Sequence, residues 1–474
     1  MRIIGRIHEQ AELMRYFNSG KPEFVTVTGR RRIGKTFLVK ELFMQNMAFY
    51  FSGSISKNVT NAYQLRQFDY TIAEYGVETH SNSANWSEAF SKLRRLLKNE
   101  NKTRQVVFID ELPWLDAPKS DFLAALDHFW NTFASGRSDI MLIVCGSSTS
   151  WIVKNLFENK GGLHNRVTGR IWLAPFTLAE SEAFFSENGI VMNRYQIAES
   201  LMVFGGVPYY MNMFEKGLGL TQNIDRLFFA DNAPLRNEFN EVYRLLFRAS
   251  DRHISIVSAL SKTKSGMTRD EIIQSTDIPG GGNLTKNLCE LEQCGFIEKY
   301  TDFTKPKNGA YYRLIDPFTL FWLKYVKDNN SKDEYYWTNL LDDGGRRAWS
   351  GHAFELLCLR HLVQIKQKLG IAGISTQVFT WRSKESHPGA QIDLLISRKD
   401  GVINLCEMKY SLHPVTLTAS DDQGLQHKRT AFLAETGTRK AIHITMVTTY
   451  GLTNKGYKAS IQSEVTLDDL FAYK

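Results

Sequence analysis

The chain has 474 residues, of which 43% are hydrophobic and 23% charged. This excludes a disordered, collagen-like or fibrous protein, and at about 150 residues per domain it predicts roughly three domains. The net charge of +8 favours a nucleic acid or another polyanion as partner, although a merely basic surface fits the number equally well.

The first third alternates short apolar runs with helical patterns. Glu23–Thr28, Gln105–Ile109 and Ile140–Cys145 are continuously apolar and rich in β-branched residues, as strands buried on both faces of a parallel sheet are. Helical patterns at Ser87–Lys98 and Asp121–Ala134 separate them, so an open α/β sheet is predicted. Gly29-Arg30-Arg31-Arg32-Ile33-Gly34-Lys35-Thr36 matches G-x-x-x-x-G-K-[ST] between a predicted strand and a predicted helix. In that setting glycines let backbone N–H groups converge on phosphate oxygens, and the helix N-terminus adds its positive dipole end. Lys35 reaches the β- and γ-phosphates and the Thr36 hydroxyl ligates Mg²⁺. The strand Val106–Ile109 runs into Asp110 and Glu111. There Asp110 is expected to hold Mg²⁺ through water and Glu111 to polarise the attacking water as general base.

From about Pro175 the chain reads as mostly helical. A compact unit over His253–Asp316 reads as three helices followed by two short strands, the order of a winged helix, with Thr268 and Glu271 forming a capping box. Its third helix offers Asn283, Lys286 and Asn287 to a DNA groove but also Glu290 and Glu292, and its wing offers Lys299, Lys305, Lys307 and Arg313. DNA contact and a purely structural role are evenly matched there. The polar stretch Lys327–Gly345 looks like a linker. Strands follow near Gln391–Ser397, Val402–Lys409 and Ala441–Thr448.

Arg398-Lys399-Asp400-Gly401 is a hairpin turn signal. Glu407 and Lys409, two apart on a strand, share one face, and a turn centred near Asp400 puts Asp393 opposite Glu407 within a residue of register. Two carboxylates there would hold Mg²⁺ or Mn²⁺, with the Met408 carbonyl as a further ligand, and the lysine would stabilise charge developing at phosphorus.

The five cysteines are odd in number and form no C-x-x-C pair, so neither a zinc site nor a disulfide framework is predicted, and reduced thiols fit a cytoplasmic protein. The N-terminus, MRIIGRIHEQAELMRYF, has no apolar core of a signal peptide, and no apolar run reaches the length of a membrane span.

The G-R-R-R-x-G-K-T loop with the strand ending in Asp110-Glu111 resembles an AAA+-related P-loop ATPase of the signalling, STAND-like (MNS) type, in an archaeal-bacterial group. The resemblance implies ATP and Mg²⁺ as cofactors and further positions. Gly5-Arg6 with Glu9 resembles a G-R-x-x-E box near the adenine. Ser147 and Ser148 resemble sensor 1, whose hydroxyls touch the γ-phosphate or the water. Arg166 resembles the arginine finger of oligomeric relatives, with Arg170 as competitor and a homo-oligomer implied. Gly206-Val207-Pro208 resembles a G-x-P motif whose proline sits against the base. A sensor-2 arginine is not evident near Gly205–Tyr210, which favours a nucleotide-gated switch with slow turnover over a ring motor.

The C-terminal spacing D-x₁₃-E-x-K resembles the PD-(D/E)XK nuclease core. That family implies catalytic roles for Asp393, Glu407 and Lys409, with Glu355 on a preceding helix and Gln426 or Lys428 on a following one. Ile392 stands where the family usually has proline. The expected architecture is therefore α/β, with a P-loop AAA+-like parallel sheet over 1–175, a helical lid over 176–245 and a winged helix over 246–316. A linker over 317–348 and a restriction-endonuclease-like domain over 349–474 complete it. Two readings stand: an ATPase coupled to DNA binding and metal-dependent cleavage, or a signalling ATPase whose C-terminal domain is a non-catalytic DNA- or protein-binding module.

Overall fold

The computed structural model describes residues 2–55, 59–78, 81–98, 104–117, 120–158, 163, 165–247, 249–304, 310–383 and 385–473. The chain divides into two compact units. One comprises Met1–Pro175 with Val242–Arg248, the other Phe176–Glu241 with Ala249–Lys474.

In the first unit, β1 (Glu23–Gly29), β2 (Met47–Ser52), β3 (Gln105–Asp110), β4 (Ile140–Gly146) and β5 (Gly169–Leu173) form a five-stranded sheet in the order β2-β3-β4-β1-β5. Every pair is parallel, as the continuous apolar runs require. Strand alternation sorts the side chains between two cores. Val25, Val27, Val106, Phe108, Met141, Ile143 and Cys145 pack with Leu13, Leu38 and Val39 of the helices Ile7–Phe17 and Lys35–Leu42. Phe24, Val107, Ile109, Leu142 and Val144 pack on the other face with Phe68, Phe90 and Phe129 of the helices Asn61–Glu74, Trp86–Leu96 and Phe122–Thr132.

The second unit begins with the helices Leu178–Glu187, Arg194–Phe204, Pro208–Met211 and Leu220–Phe228. Helix Ser250–Leu260, β6 (Met267–Thr268), helices Arg269–Thr276 and Gly282–Gln293, β7 (Ile297–Thr301) and β8 (Ala310–Leu314) follow, the strands pairing antiparallel in the order β6-β8-β7. Thr268 and Glu271 form the expected capping box. Of the expected groove-facing side chains, Asn287 is buried, and Lys286 is exposed but 3.8 Å from Glu290. Arg313 is buried over the Tyr300 ring and bonded to Glu298. Lys305 and Lys307 lie outside the described residues.

The stretch read as a linker is packed. It carries the helices Pro317–Phe321 and Tyr336–Asn339, and Trp337 is fully buried, edge-on to Phe321 and Trp349. Arg346 lies over the Trp337 ring and pairs with Glu199 at 2.7 Å. The polar composition of the stretch hid its aromatic anchors, whose burial decides its fate.

Helix Gly344–Arg360 leads into β9 (Thr376–Arg382), β10 (Gln391–Arg398) and β11 (Val402–Lys409), then β12 (Val415–Leu417), helix Ala419–Thr436, β13 (Ala441–Thr448), β14 (Leu452–Gly456) and β15 (Ser463–Thr466). The sheet order is β15-β13-β11-β10-β9. The β9-β10-β11 pairs are antiparallel, and the long helix serves as the crossover that makes β13 parallel to β11.

Candidate functional site: a phosphate loop and a second charged cluster

The loop Arg30–Gly34 joins β1 to helix Lys35–Leu42, and three positions from the end of β1 onward need unusual backbone: Gly29 at φ 139°, Arg32 at φ 69° and Gly34 at φ 88°. Gly29 is doubly constrained, because a Cβ there would sit 2.4 Å from the Leu173 carbonyl oxygen of β5. Ile33 anchors the loop in the core with 1% exposure. Its carbonyl accepts from Arg6 Nη2 at 3.3 Å, while Arg6 Nη1 donates to the Ala174 carbonyl and the guanidinium lies 3.7 Å from Glu9. Gly5 and Arg6 both have positive φ and lead into helix Ile7–Phe17. The Gly5-Arg6 box thus braces the phosphate loop from behind. Arg30 is buried, and Arg31 keeps a buried Nε without a hydrogen-bond partner.

The chemistry-bearing side chains form one connected network. Lys35 Nζ donates to the carbonyls of Gly29 (3.0 Å) and Arg30 (2.9 Å) and lies 3.5 Å from Ser147 Oγ. Thr36 Oγ1 donates to Asp110 Oδ2 at 2.5 Å. Asp110 Oδ1 accepts from the Glu111 N–H at 2.8 Å and from the Cys145 thiol. Burial and the neighbouring Asp110 charge hold that thiol well above its ordinary pKa, so it remains a donor. Ser147 Oγ donates to Glu111 Oε1 at 2.7 Å. A hydroxyl and a carboxylate are hard oxygen donors suited to Mg²⁺. Thr36 and Asp110 would hold the ion, which when bound with ATP neutralises charge on the β- and γ-phosphates. Lys35 would bind the phosphates, and Glu111 would take the proton of the water.

The other expected positions have surroundings of their own. The Ser148 hydroxyl faces Ser150 at 3.5 Å. Arg166 is exposed, and Arg170 lies over the Phe157 ring, 4.0 Å from its centroid. Pro208 starts the short helix Pro208–Met211 in the second unit, where the preceding Gly206 carbonyl accepts from the Phe176 N–H at 2.7 Å.

In the C-terminal sheet, Leu394 pairs with Cys406 and Ile396 with Asn404; continued one step this register would set Asp393 opposite Glu407, but the β10–β11 pairs end at Leu394. The β10–β9 register, however, shifts between Ile392 and Leu395. Ile392 and Leu395 belong to the same core despite being three apart, so the bulge turns Asp393 and Leu394 to the other side. Asp393 accepts from Gln391 at 2.5 Å and lines a small cavity with Arg382, Asp302 and Arg313. Glu407 and Lys409 do share a face, and they line a separate cavity of about 170 Å³ with Asp421 and Lys428. Lys428 donates to Glu407 at 2.6 Å, and Lys409 to Asp421. Lys409, helped by the Thr418 hydroxyl and N–H, holds the Asp421 carboxyl down to about 2. Glu355, on helix Gly344–Arg360, is 3.3 Å from His352 Nδ1. Sequence reasoning missed Asp421, because its approach depends on how the crossover helix docks. Among the described residues, no group of three or more His, Cys, Asp and Glu side chains is placed to hold a metal, and no helix is long and apolar enough to cross a membrane.

The parallel sheet and the loop network define a P-loop ATPase domain, and comparison with known proteins agrees. Residues 4–214 match the family model of an ATPase domain found predominantly in Archaea. The protein is accordingly an ATP-hydrolysing enzyme. An uncharacterised protein of Methanocaldococcus jannaschii is 24% identical over 403 residues, 83% of each chain. Among solved structures, the Walker-type ATPase of Pyrococcus abyssi is 16% identical with a TM-score of 0.50, over 68% of this chain and 96% of that one. The Aeropyrum pernix ORC2 protein, solved in ADPNP–ADP complexes, is 13% identical with a TM-score of 0.43, over 68% of this chain and 93% of that one. The likeness to the Pyrococcus abyssi structure is one of fold.

Proposed function

We propose that the protein is a Mg²⁺-dependent ATP switch of slow turnover whose second unit binds DNA. The observation that carries this reading is the Ser147–Glu111 bond, which ties the general base to a neighbour that also contacts Lys35. The three helices followed by β7 and β8, with β6 completing the ribbon, support a winged helix. The exposed Lys299 and Lys286 and the positive net charge support a nucleic-acid partner. Cytoplasmic residence and a homo-oligomer that brings Arg166 to a neighbour's phosphate belong to the same reading. The test is DNA binding in low salt with ATP, with ADP and without nucleotide, using Glu111→Gln to hold the ATP state. Affinity that ignores nucleotide would defeat it.

For the C-terminal sheet, the order helix–β9–β10–β11–helix–β13 and the shared face of Glu407 and Lys409 support the PD-(D/E)XK likeness. The pairing of both residues with helix Ala419–Thr436, and the separate cavity of Asp393, favour a module that binds rather than cuts. Incubation of single- and double-stranded DNA with Mg²⁺ or Mn²⁺, with and without ATP, decides between the two. Cleavage lost in Glu407→Ala and Lys409→Ala would establish the nuclease reading.

A further inference from the structure

Asp110 is a buried carboxylate, 3% exposed, and a buried carboxylate needs donors on both oxygens to hold one orientation. Oδ2 accepts from Thr36. Oδ1 accepts from the Glu111 N–H and from the Cys145 thiol. The main-chain donor comes with any residue at 111. The thiol depends on the side chain at 145, and its placement follows from the sheet. Ile109 pairs with Val144 in the parallel β3–β4 ladder, so Asp110 and Cys145 are the next pair. Both continue the face that carries Val106, Phe108, Met141 and Ile143. Cys145 has no exposed surface, so its thiol donates within the protein.

We propose that Cys145 is a positioning residue of the ATPase site: its thiol fixes Oδ1 of Asp110 so that Oδ2 is presented to Thr36 and to Mg²⁺. Cys145 touches neither the nucleotide nor the water; it acts through Asp110. Its loss therefore weakens the metal specifically. The phosphate contacts of Lys35 and of the loop backbone do not pass through Asp110, so nucleotide held without metal is unaffected. A serine at 145 retains a donor at nearly the same place, whereas alanine and valine have none.

The inference rests on Thr36 and Asp110 being the metal-binding pair, and the experiment separates the two claims. Cys145→Ser, Cys145→Ala, Cys145→Val and Asp110→Asn are compared in the full chain. Affinity for a fluorescent ATP analogue is measured in EDTA and across a Mg²⁺ titration, Mn²⁺ binding in the presence of ADP is read by electron paramagnetic resonance, and ATP turnover is measured alongside. Cys145→Ala and Cys145→Val should raise the half-saturating Mg²⁺ and Mn²⁺ by about ten-fold, the scale of one lost bond to a charged group. Affinity in EDTA should not change, and Cys145→Ser should recover to within about two-fold of the original chain. Unchanged metal dependence in both alanine and valine variants overturns the proposal. So does a serine variant as impaired as alanine, or alanine and valine variants that both lose cooperative thermal unfolding, since the thiol would then be a packing group. If Asp110→Asn itself leaves metal binding intact, the metal assignment fails instead, and the Cys145 proposal falls with it.

Discussion

Ser147 Oγ donates to Glu111 Oε1 at 2.7 Å, and the Ser147 N–H approaches Oε2 at 3.4 Å. One residue therefore engages both oxygens of the carboxylate proposed as general base, whose own backbone is held at φ 49°. Ser147→Ala should leave ATP affinity near its original value and lower kcat by about ten-fold, because the base keeps its place on β3 but loses its orientation. Equilibrium binding set beside steady-state turnover reads this directly; equal losses in both would show that Ser147 serves binding instead.

Lys35→Ala should abolish tight ATP binding, since the phosphates lose their main cation. Glu111→Gln should bind ATP normally and turn it over about 10²–10⁴-fold more slowly, the usual contribution of a positioned base. Calorimetric titration and phosphate release distinguish the two variants, and unchanged affinity and turnover in both would remove the site assignment.

The Lys409–Asp421 pair carries a pH signature. Asp421 titrates at about 2 in the folded chain, below the ordinary value of 3.8. A depressed carboxylate stabilises the fold above the ordinary carboxylate range, and that stabilisation is lost as pH falls from there through about 2. Lys409→Ala should move the Asp421 pKa up toward 3.8 and remove this part of the acid dependence. Carboxyl-detected nuclear magnetic resonance titration measures it; an unmoved Asp421 would mean that Thr418 alone sets the shift.

Arg346 and Glu199 form a buried pair, with side-chain exposures of 7% and 12%. Arg346→Met should destabilise the chain by about 3–5 kcal/mol, because Glu199 is left charged and unpaired. The double variant with Glu199→Leu should recover much of that loss. Denaturant unfolding of the three variants tests the coupling, and strictly additive losses would argue that the two residues act independently.

The ATPase sheet was legible because each of its central strands is apolar throughout, a pattern that a strand buried on both faces shows and a surface strand does not. The hairpin register was legible near its turn: Arg398–Gly401 joins β10 to β11, and the pairs run from Ser397–Ile403 to Leu394–Cys406. The bulge between Ile392 and Leu395 carries no glycine or proline to announce it. It arises from pairing with β9, at the end of β10 away from the hairpin turn. The docking of Asp421 and Lys428 on Glu407 and Lys409 likewise depends on tertiary packing of the crossover helix, for which local sequence carries no signal. Trp337 shows the opposite failure, a buried anchor concealed by the charged residues around it.

Just past β7, Asp302 bridges to Thr380 of β9, the Phe303 N–H donates to the Thr380 carbonyl at 3.1 Å, and the Phe303 ring packs against Phe379 and Phe432. The outer edge of the C-terminal sheet is thus met at Thr380 by residues that precede it by nearly eighty positions. A fragment cut at the apparent start of the terminal domain would carry a raw strand edge beside two uncovered phenylalanines, the pattern that invites self-association. A piece cut for study should keep Asp302 and Phe303 with the sheet, together with Phe176–Glu241 of the same compact unit.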